Sequence, residues 1–329
     1  MQSNFIANEV RPSLSGRTLD IIDPSDGQVF DRLQRSNAED MESAVRAARH
    51  SFETLWRPMA AADRGRLLMR LSSAVTEHAI ELAALEQRDC GKPTRQARAD
   101  ALALARYFEF YAGACDKLHG ETLPYQEGTS VLTWREPHGV TGHVIPWNYP
   151  MQIFGRSVGG ALAAGNTCVI KPAEDACLSV LRVAQLAAEV GFPPGTINVV
   201  TGYGHEVGDA LARHPGIDHI SFTGSPSVGT LIAQAAAERH CPVTLELGGK
   251  SPQIVFADAD LDAALPAIVN AIVQNAGQTC SAGSRLLVER SLYEPLLERL
   301  GALFSKLRAG PAALDLDVGP LIRATQKER

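Results

Sequence analysis

The sequence predicts an α/β protein built on a doubly wound, mainly parallel sheet and preceded by a helical layer. Three observations carry this. From Gly139 onward, short β-branched runs alternate with alanine-rich segments, the pattern of βαβ units. Between residues 38 and 114 apolar residues recur at three- and four-residue spacing, the period of an amphipathic helix. The chain has 329 residues, 45% of them hydrophobic, which is enough for more than one core.

In order along the chain, the helical layer is marked by Met41, Val45 and Ala48, then Leu67, Leu68, Leu71 and Val75, then Leu102, Ala105 and Phe108. Residues 118–137, with Val131, Thr133 and Trp134 between glycine and proline signals, read as extended strands. The sheet strands follow as His143-Val144-Ile145, Cys168-Val169-Ile170, Ile197-Asn198-Val199-Val200, His219-Ile220-Ser221-Phe222 and Val243-Thr244-Leu245. Connections of this kind bring ligands to the carboxyl ends of the strands. A second domain is expected to open near Gly249, with strand Gln253-Ile254-Val255-Phe256, a helix over 261–275 and a strand at Leu286-Leu287-Val288. Asp258 and Asp260 suit capping of that helix better than a metal pair.

Composition excludes some classes of function. With 31 basic and 37 acidic residues the formal charge is −6, which disfavours a nucleic-acid or anionic membrane surface. The first ten residues lack a basic region followed by an apolar run, and no apolar stretch reaches the roughly 20 residues that span a bilayer. A cytoplasmic protein without membrane partners is the expectation. The six cysteines contain no Cys-x-x-Cys pair, so neither a zinc site nor a disulfide scaffold is expected.

Chemistry concentrates in a few segments. Asn275-Ala276-Gly277-Gln278-Thr279-Cys280-Ser281 presents a thiol in a small, glycine-containing context just after an apolar helix. Cysteine reacts as the thiolate, so Cys280 needs partners to be a nucleophile; alone it is as well read as a buried filler. Candidates lie upstream: Asn148 in Ile145-Pro146-Trp147-Asn148-Tyr149-Pro150, and Glu246 in Leu245-Glu246-Leu247-Gly248-Gly249-Lys250. Asn148 also suits a helix cap. Glu246, ending an apolar strand, is expected to be buried, where a carboxylate is costly unless paired or functional. Phe222-Thr223-Gly224-Ser225-Pro226 passes from strand to helix, and a helix N-terminus capped by Ser225 offers amides to a pyrophosphate. Gly224 and Gly229 serve a tight turn and close packing equally well. Lys171-Pro172-Ala173-Glu174 by itself reads as a strand end with a solvated helix start.

Taken together and in their order along the chain, these segments resemble the NAD(P)-dependent aldehyde dehydrogenase superfamily, from about Ile21 to the last residue. The Leu-Glu-Leu-Gly-Gly-Lys and Gly-Gln-Thr-Cys motifs are its specific marks. The resemblance implies a variant Rossmann fold in four parts: 1–117, a helical part of the cofactor domain; 118–137, an oligomerisation hairpin; 138–248, the NAD-binding domain; and 249–329, part of a catalytic domain. It implies Cys280 as nucleophile, Asn148 with the backbone N–H of Cys280 as oxyanion donors, and Glu246 as base for thioester hydrolysis. It places NAD on Ile145, Trp147, Lys171, Glu174, Gly204, Gly224, Ser225, Gly229 and Leu247. Lys171 and Glu174 would hold the adenosine ribose hydroxyls, where a carboxylate favours NAD over NADP. The implied substrate is a small aldehyde, and the implied assembly of the full-length protein a homodimer or homotetramer. Arg156, eight residues beyond Asn148, falls where the family lines its substrate entrance and often carries an aromatic residue. There a guanidinium would pair with a substrate carboxylate, as in semialdehyde dehydrogenases, or form a salt bridge to the missing part of the chain.

The chain departs from the family at its end. It stops at Arg329, where a complete member continues into a Glu-x-Phe-Gly-Pro motif, an aromatic loop and a final strand. A C-terminally truncated member is therefore expected, either a piece of an NAD-dependent aldehyde dehydrogenase or an inactive nucleotide-binding or interaction remnant. A CoA-acylating enzyme is disfavoured by Glu246, because acylating relatives generally lack a hydrolytic base there.

Overall fold

A computed structural model of the chain describes residues 1–328; Arg329 lies outside the described residues. Four short strands come first, β1 (Asn4–Ile6), β2 (Glu9–Arg11), β3 (Thr18–Ile22) and β4 (Val29–Gln34). The helical layer follows as α1 (Ala38–Ser51), α2 (Ala61–Glu77), α3 (Ala79–Cys90) and α4 (Thr94–Ala114). Asn37 starts α1 with a reciprocal cap: its side chain accepts from the amides of Glu39 and Asp40, and Asp40 accepts from the amide of Asn37. Gly91, left-handed at φ 74°, ends α3 and turns the chain into α4.

The alternation then proceeds as a hairpin, β5 (Thr122–Leu123) and β6 (Val131–Leu132), followed by β7 (Val140–Ile145), α5 (Pro150–Ala163), β8 (Thr167–Pro172), α6 (Leu178–Glu189), β9 (Ile197–Val199), α7 (Asp209–Arg213), β10 (His219–Gly224), α8 (Pro226–Ala237) and β11 (Val243–Leu247). The main sheet has seven strands in the order β11-β10-β7-β8-β9-β1-β2. The five strands from β11 to β9 run parallel, as the alternation requires, while β1 and β2 join antiparallel. These two N-terminal strands are absent from the sequence reading because three-residue strands are too short to show a period. The chain winds outward from β7 through β8 to β9, then returns to β10 on the other side of β7. The strand order therefore reverses between β7 and β10, and a crevice opens at their carboxyl ends.

Both faces of the sheet are covered. One core joins α2, α4, α5 and α6 through Leu68, Leu71, Leu104, Phe108, Phe154 and Leu181. The other packs α1, α7 and α8 through Met41, Val45, Leu211 and Ile232 against Val140, Val169 and Ile220. Leu102 is a correction: it is 45% exposed, and Ala101 and Leu104 take the inward positions on α4. A one-residue rotation moves a helical side chain by about 100°, which suffices to turn it outward.

Past Gly249 a small lobe holds β12 (Pro252–Val255), α9 (Leu261–Val273), β13 (Arg285–Val288) and α10 (Tyr293–Phe304), with a last turn, α11 (Ala324–Glu328). β12 and β13 pair in parallel, and Val255, Leu265, Ile268 and Leu296 form a core of their own. Asp260 caps α9 by accepting from the amides of Asp262 and Ala263. The helix ends two residues earlier than its apolar run suggests. At Asn275 and Ala276 the backbone turns left-handed, φ 50° and 55°, which a sequence without proline or glycine at those positions does not announce.

Candidate active site

The site grows from the crevice between β7 and β10. β7 delivers Ile145, which is buried, into the turn Pro146-Trp147-Asn148, and Pro150 starts α5. Asn148 does not cap that helix. The N-cap position is Tyr149, without a capping bond, and the Asn148 side chain points across the crevice, where Nδ2 donates to the Gln278 carbonyl at 2.9 Å. Gln278 lies two residues before Cys280.

The Cys280 segment is held in a demanding shape. Asn275, Ala276 and Gly277 are successively left-handed, and only the glycine adopts that region without cost. Asn275 compensates by being buried and bonded: Nδ2 donates to the Asn148 carbonyl at 3.0 Å, and its own carbonyl accepts from Gln278 Nε2 at 3.0 Å. The Gln278 side chain also accepts from the Ile322 amide at 3.1 Å. The hydroxyls of Tyr149 and Thr279 meet at 2.9 Å, one residue from the thiol. Burial raises the Tyr149 pKa above its ordinary value even though the Thr279 hydroxyl favours the phenolate.

Two cavities meet at Cys280. One, of about 160 Å³, is lined by Tyr107, Asn148, Gln152, Arg156, Thr223 and Cys280 among others. The other, of about 510 Å³, runs past Trp147, Asn148, Gly224, Ser225, Glu246 and Cys280. Asn148, Thr223, Thr279 and Cys280 belong to both, so the thiol stands where two ligands would come together.

Glu246 requires a correction. It is exposed, not buried, on β11, the edge strand whose register sets it beside Thr223 of β10. An edge strand covered on few sides leaves a carboxylate hydrated, so its cost of burial does not arise. Its place on the larger cavity, with Cys280 on the same wall, is what marks it.

Of the expected cofactor residues, Trp147, Gly224 and Ser225 line the larger cavity. Ser225 caps α8, its hydroxyl accepting from the Val228 amide at 3.4 Å, with Pro226 in the first turn. Ile145, Gly204, Gly229 and Leu247 do not line it. At Gly229 a Cβ would meet the Leu247 side chain at 2.7 Å, a contact that this exposed leucine can relieve by turning. Lys171 and Glu174 form their own cluster at the carboxyl end of β8, with Nζ 2.8 Å from the carboxylate. Burial opposes ionisation of Glu174, but the Lys171 charge and hydrogen bond hold its carboxyl below the usual range. Gly204 faces this pair: a Cβ there would lie 3.9 Å from Lys171 Nζ. Arg323, which lines the larger cavity, forms an ion pair with Asp175 at 3.0 Å, next to Glu174 in sequence.

Arg156 sits one turn beyond Gln152 on α5 and lines the smaller cavity. Its Nη2 is buried without a hydrogen-bond partner, and among the described residues it makes no ion pair. Sequence reasoning missed Tyr107 and Gln152, which carry no motif of their own and reach the cavity only through the packing of α4 on α5, and it gave no role to Thr223, which stood inside the segment 222–226 and lines the cavity beside β7. Tyr149, Asn275 and Thr279 stood inside the motifs but attracted no role, since their bonds run between segments more than a hundred residues apart.

Comparisons with known proteins agree with this geometry. The family model described as the aldehyde dehydrogenase family matches residues 11–329. Aldehyde dehydrogenase [NAD(P)+] 2 of Saccharomyces cerevisiae is 41% identical over 99% of this chain, which spans 66% of that protein. A crystallised protein of Burkholderia cenocepacia, provisionally assigned as an aldehyde dehydrogenase, is 70% identical with a TM-score of 0.98, over 99% of this chain and 69% of that one. An aldehyde dehydrogenase from Bacillus cereus, solved as its NAD+ complex, is 39% identical with a TM-score of 0.97, over 99% and 67%. The chain thus spans about two thirds of the length of the relatives it matches. The crevice, its motifs and these likenesses agree, and the chain belongs to the aldehyde dehydrogenase family.

Proposed function

We propose that the protein oxidises an aldehyde to the carboxylic acid with NAD, through a thioester on Cys280. The observation that carries this reading is the junction of the two cavities at Cys280, with Asn148 reaching over the thiol's loop and Glu246 on the wall of the larger one. The residues present suit the dinucleotide. Gly248 lines the larger cavity with nothing within 4 Å of where a Cβ would stand, so the wall stays open there. The N-terminus of α8 opens on the same cavity at Ser225 and offers free amides to a pyrophosphate. Lys171 and Glu174 would take the adenosine ribose, and Trp147, Gly224 and Ser225 would flank the rest. Bound there, NAD supplies the acceptor for the electron pair lost by the substrate.

The thiolate of Cys280 attacks the carbonyl carbon entering from the smaller cavity. The new oxyanion is met by Asn148 Nδ2 and the Cys280 amide; one preorganised donor contributes about 3–4 kcal/mol to the transition state. Oxidation of this thiohemiacetal leaves a thioester. Glu246 then takes a proton from water, the resulting hydroxide adds to the thioester carbon, and the acid leaves with the thiolate restored.

A finer reading concerns the substrate. Arg156, which lines the same cavity as Cys280 and has no ion-pair partner among the described residues, supports an aldehyde that carries its own carboxylate, because such a partner balances the charge. The exposed hairpin of β5 and β6, with Trp134 and Tyr125 bared beside it, supports assembly of the full-length protein into a homodimer or homotetramer.

Steady-state oxidation and NAD binding in the full-length protein test the function. Cys280→Ala is expected to abolish turnover with NAD affinity nearly intact, and Glu246→Gln to release NADH in a single-turnover burst followed by a slow phase. Turnover by Cys280→Ala within a few-fold of the parent defeats the proposal.

A further inference from the structure

We propose that Gln96 is a positioning residue for the nucleophile loop, acting through Asn275 and Tyr149; this rests on the function just proposed for Cys280. Gln96 lies in the first turn of α4, far from any motif. Its side chain is bonded at both ends. Oε1 accepts from the backbone amide of Asn275 at 3.0 Å, and Nε2 donates to the Tyr149 hydroxyl at 3.3 Å. That hydroxyl meets Thr279 Oγ1 at 2.9 Å. One amide thus grips the Cys280 loop at both sides, at its entry directly and beside the thiol through the tyrosine.

The two anchor points are those that need holding. Asn275 is buried and left-handed, so its amide would be an orphan donor without Gln96, and the strained conformation would lose a bond that stabilises it. Tyr149 follows Asn148, and Asn275 Nδ2 bonds the Asn148 carbonyl. Movement at Gln96 therefore reaches both the nucleophile and the oxyanion donor. A primary amide suits the task because it offers an acceptor and a donor on one planar group without a change of protonation state.

Gln96 itself has a rigid support. Lys92, fully buried, bonds Glu86 and Asp100 and lies 4.2 Å from the centre of the Tyr149 ring. Asp100 accepts also from Gln152 on α5 at 2.6 Å. An ionic cluster locked between α3, α4 and α5 thus fixes the platform from which Gln96 and Tyr149 reach the loop.

The test is Gln96→Met, which keeps the length and removes both bonds, against Gln96→Glu, which keeps the acceptor for Asn275, in the full-length protein. For Gln96→Met we expect kcat to fall about tenfold or more, as a small misplacement of reacting groups does, with the KM values for NAD and aldehyde within about twofold. Gln96→Glu should recover most of the rate. Hydrogen exchange read on a peptide covering 271–283 should quicken about tenfold in Gln96→Met, while β7 stays protected. Should Gln96→Met fail to fold, Tyr149→Phe severs the hydroxyl limb alone and carries the same comparison of kcat with KM. Unchanged exchange, an unchanged kcat, or parallel losses in kcat, KM and melting temperature that Gln96→Glu does not repair would each overturn the proposal. A parent that oxidises no aldehyde defeats the functional reading instead, and the exchange measurement still decides whether Gln96 holds the loop.

Discussion

Asn148 and Gln278, separated by 130 residues in sequence, are joined by a 2.9 Å hydrogen bond from the Asn148 side-chain amide to the Gln278 carbonyl. The bond aims Asn148 at the loop of Cys280 while spending only one of its two N–H groups. The second is the one that, under the proposed function, would meet an oxyanion on the aldehyde. Asn148→Ala is expected to lower kcat about a hundred- to thousand-fold, the usual effect of losing one such donor. Steady-state rates at saturating NAD check this, and a loss confined to the aldehyde KM counts against the role.

Glu174 is expected to set the cofactor preference. Its carboxylate balances Lys171, whose ammonium is almost wholly buried. A 2′-phosphate brought to this pair meets the carboxylate's charge, while a 2′-hydroxyl donates to it. Glu174→Gln leaves the ammonium unbalanced and attractive to phosphate. The variant should narrow the gap between NAD and NADP by about 1–3 kcal/mol, read as dissociation constants by fluorescence titration. A parent that binds both equally well removes Glu174 from this role.

Arg156 is expected to select charge in the substrate. Removing one partner of a buried ion pair strands the other, so Arg156→Leu should reduce kcat/KM for succinic semialdehyde about a hundredfold or more, and for butyraldehyde far less. Equal losses would point to a structural arginine. A parent that prefers butyraldehyde would discard the acidic substrate.

Asp89 provides a pH dependence of stability. It is buried beside Cys90, where it accepts from the Leu178 amide at 3.0 Å, and Lys92, Glu86 and Cys177 are its other titratable neighbours. Burial raises its pKa from 3.8 to about 7, outweighing the Leu178 amide and the other groups that favour the charge. Because the folded value exceeds the unfolded one, stability is greatest below the unfolded pKa and declines as pH rises toward the folded pKa. Urea unfolding at about pH 5 and about pH 8 should therefore show a smaller decline for Asp89→Asn, which stays neutral, than for the parent. Equal declines would show that Asp89 ionises in the folded protein at its ordinary pKa.

What the sequence by itself determined is whatever repeats locally. The alternation of β-branched and alanine-rich runs implied the parallel sheet, and the three- and four-residue spacing of Met41, Val45, Leu68 and Leu71 implied the helical layer. The order of the asparagine, lysine, glutamate and cysteine motifs pointed to the family. Such signals are legible because strand and helix periods, caps and turns depend on neighbours within a few residues. Tertiary structure alone decided the rest. It put Glu246 in solvent on an edge strand, turned Leu102 outward, and broke the helix before Asn275. It also brought Gln96, Tyr149 and Thr279 into one chain of hydrogen bonds. No local rule foretells these, because each depends on which distant segment lies opposite: β10 beside Glu246, Ala101 and Leu104 taking the core positions on α4, and the Asn148 turn across from Asn275.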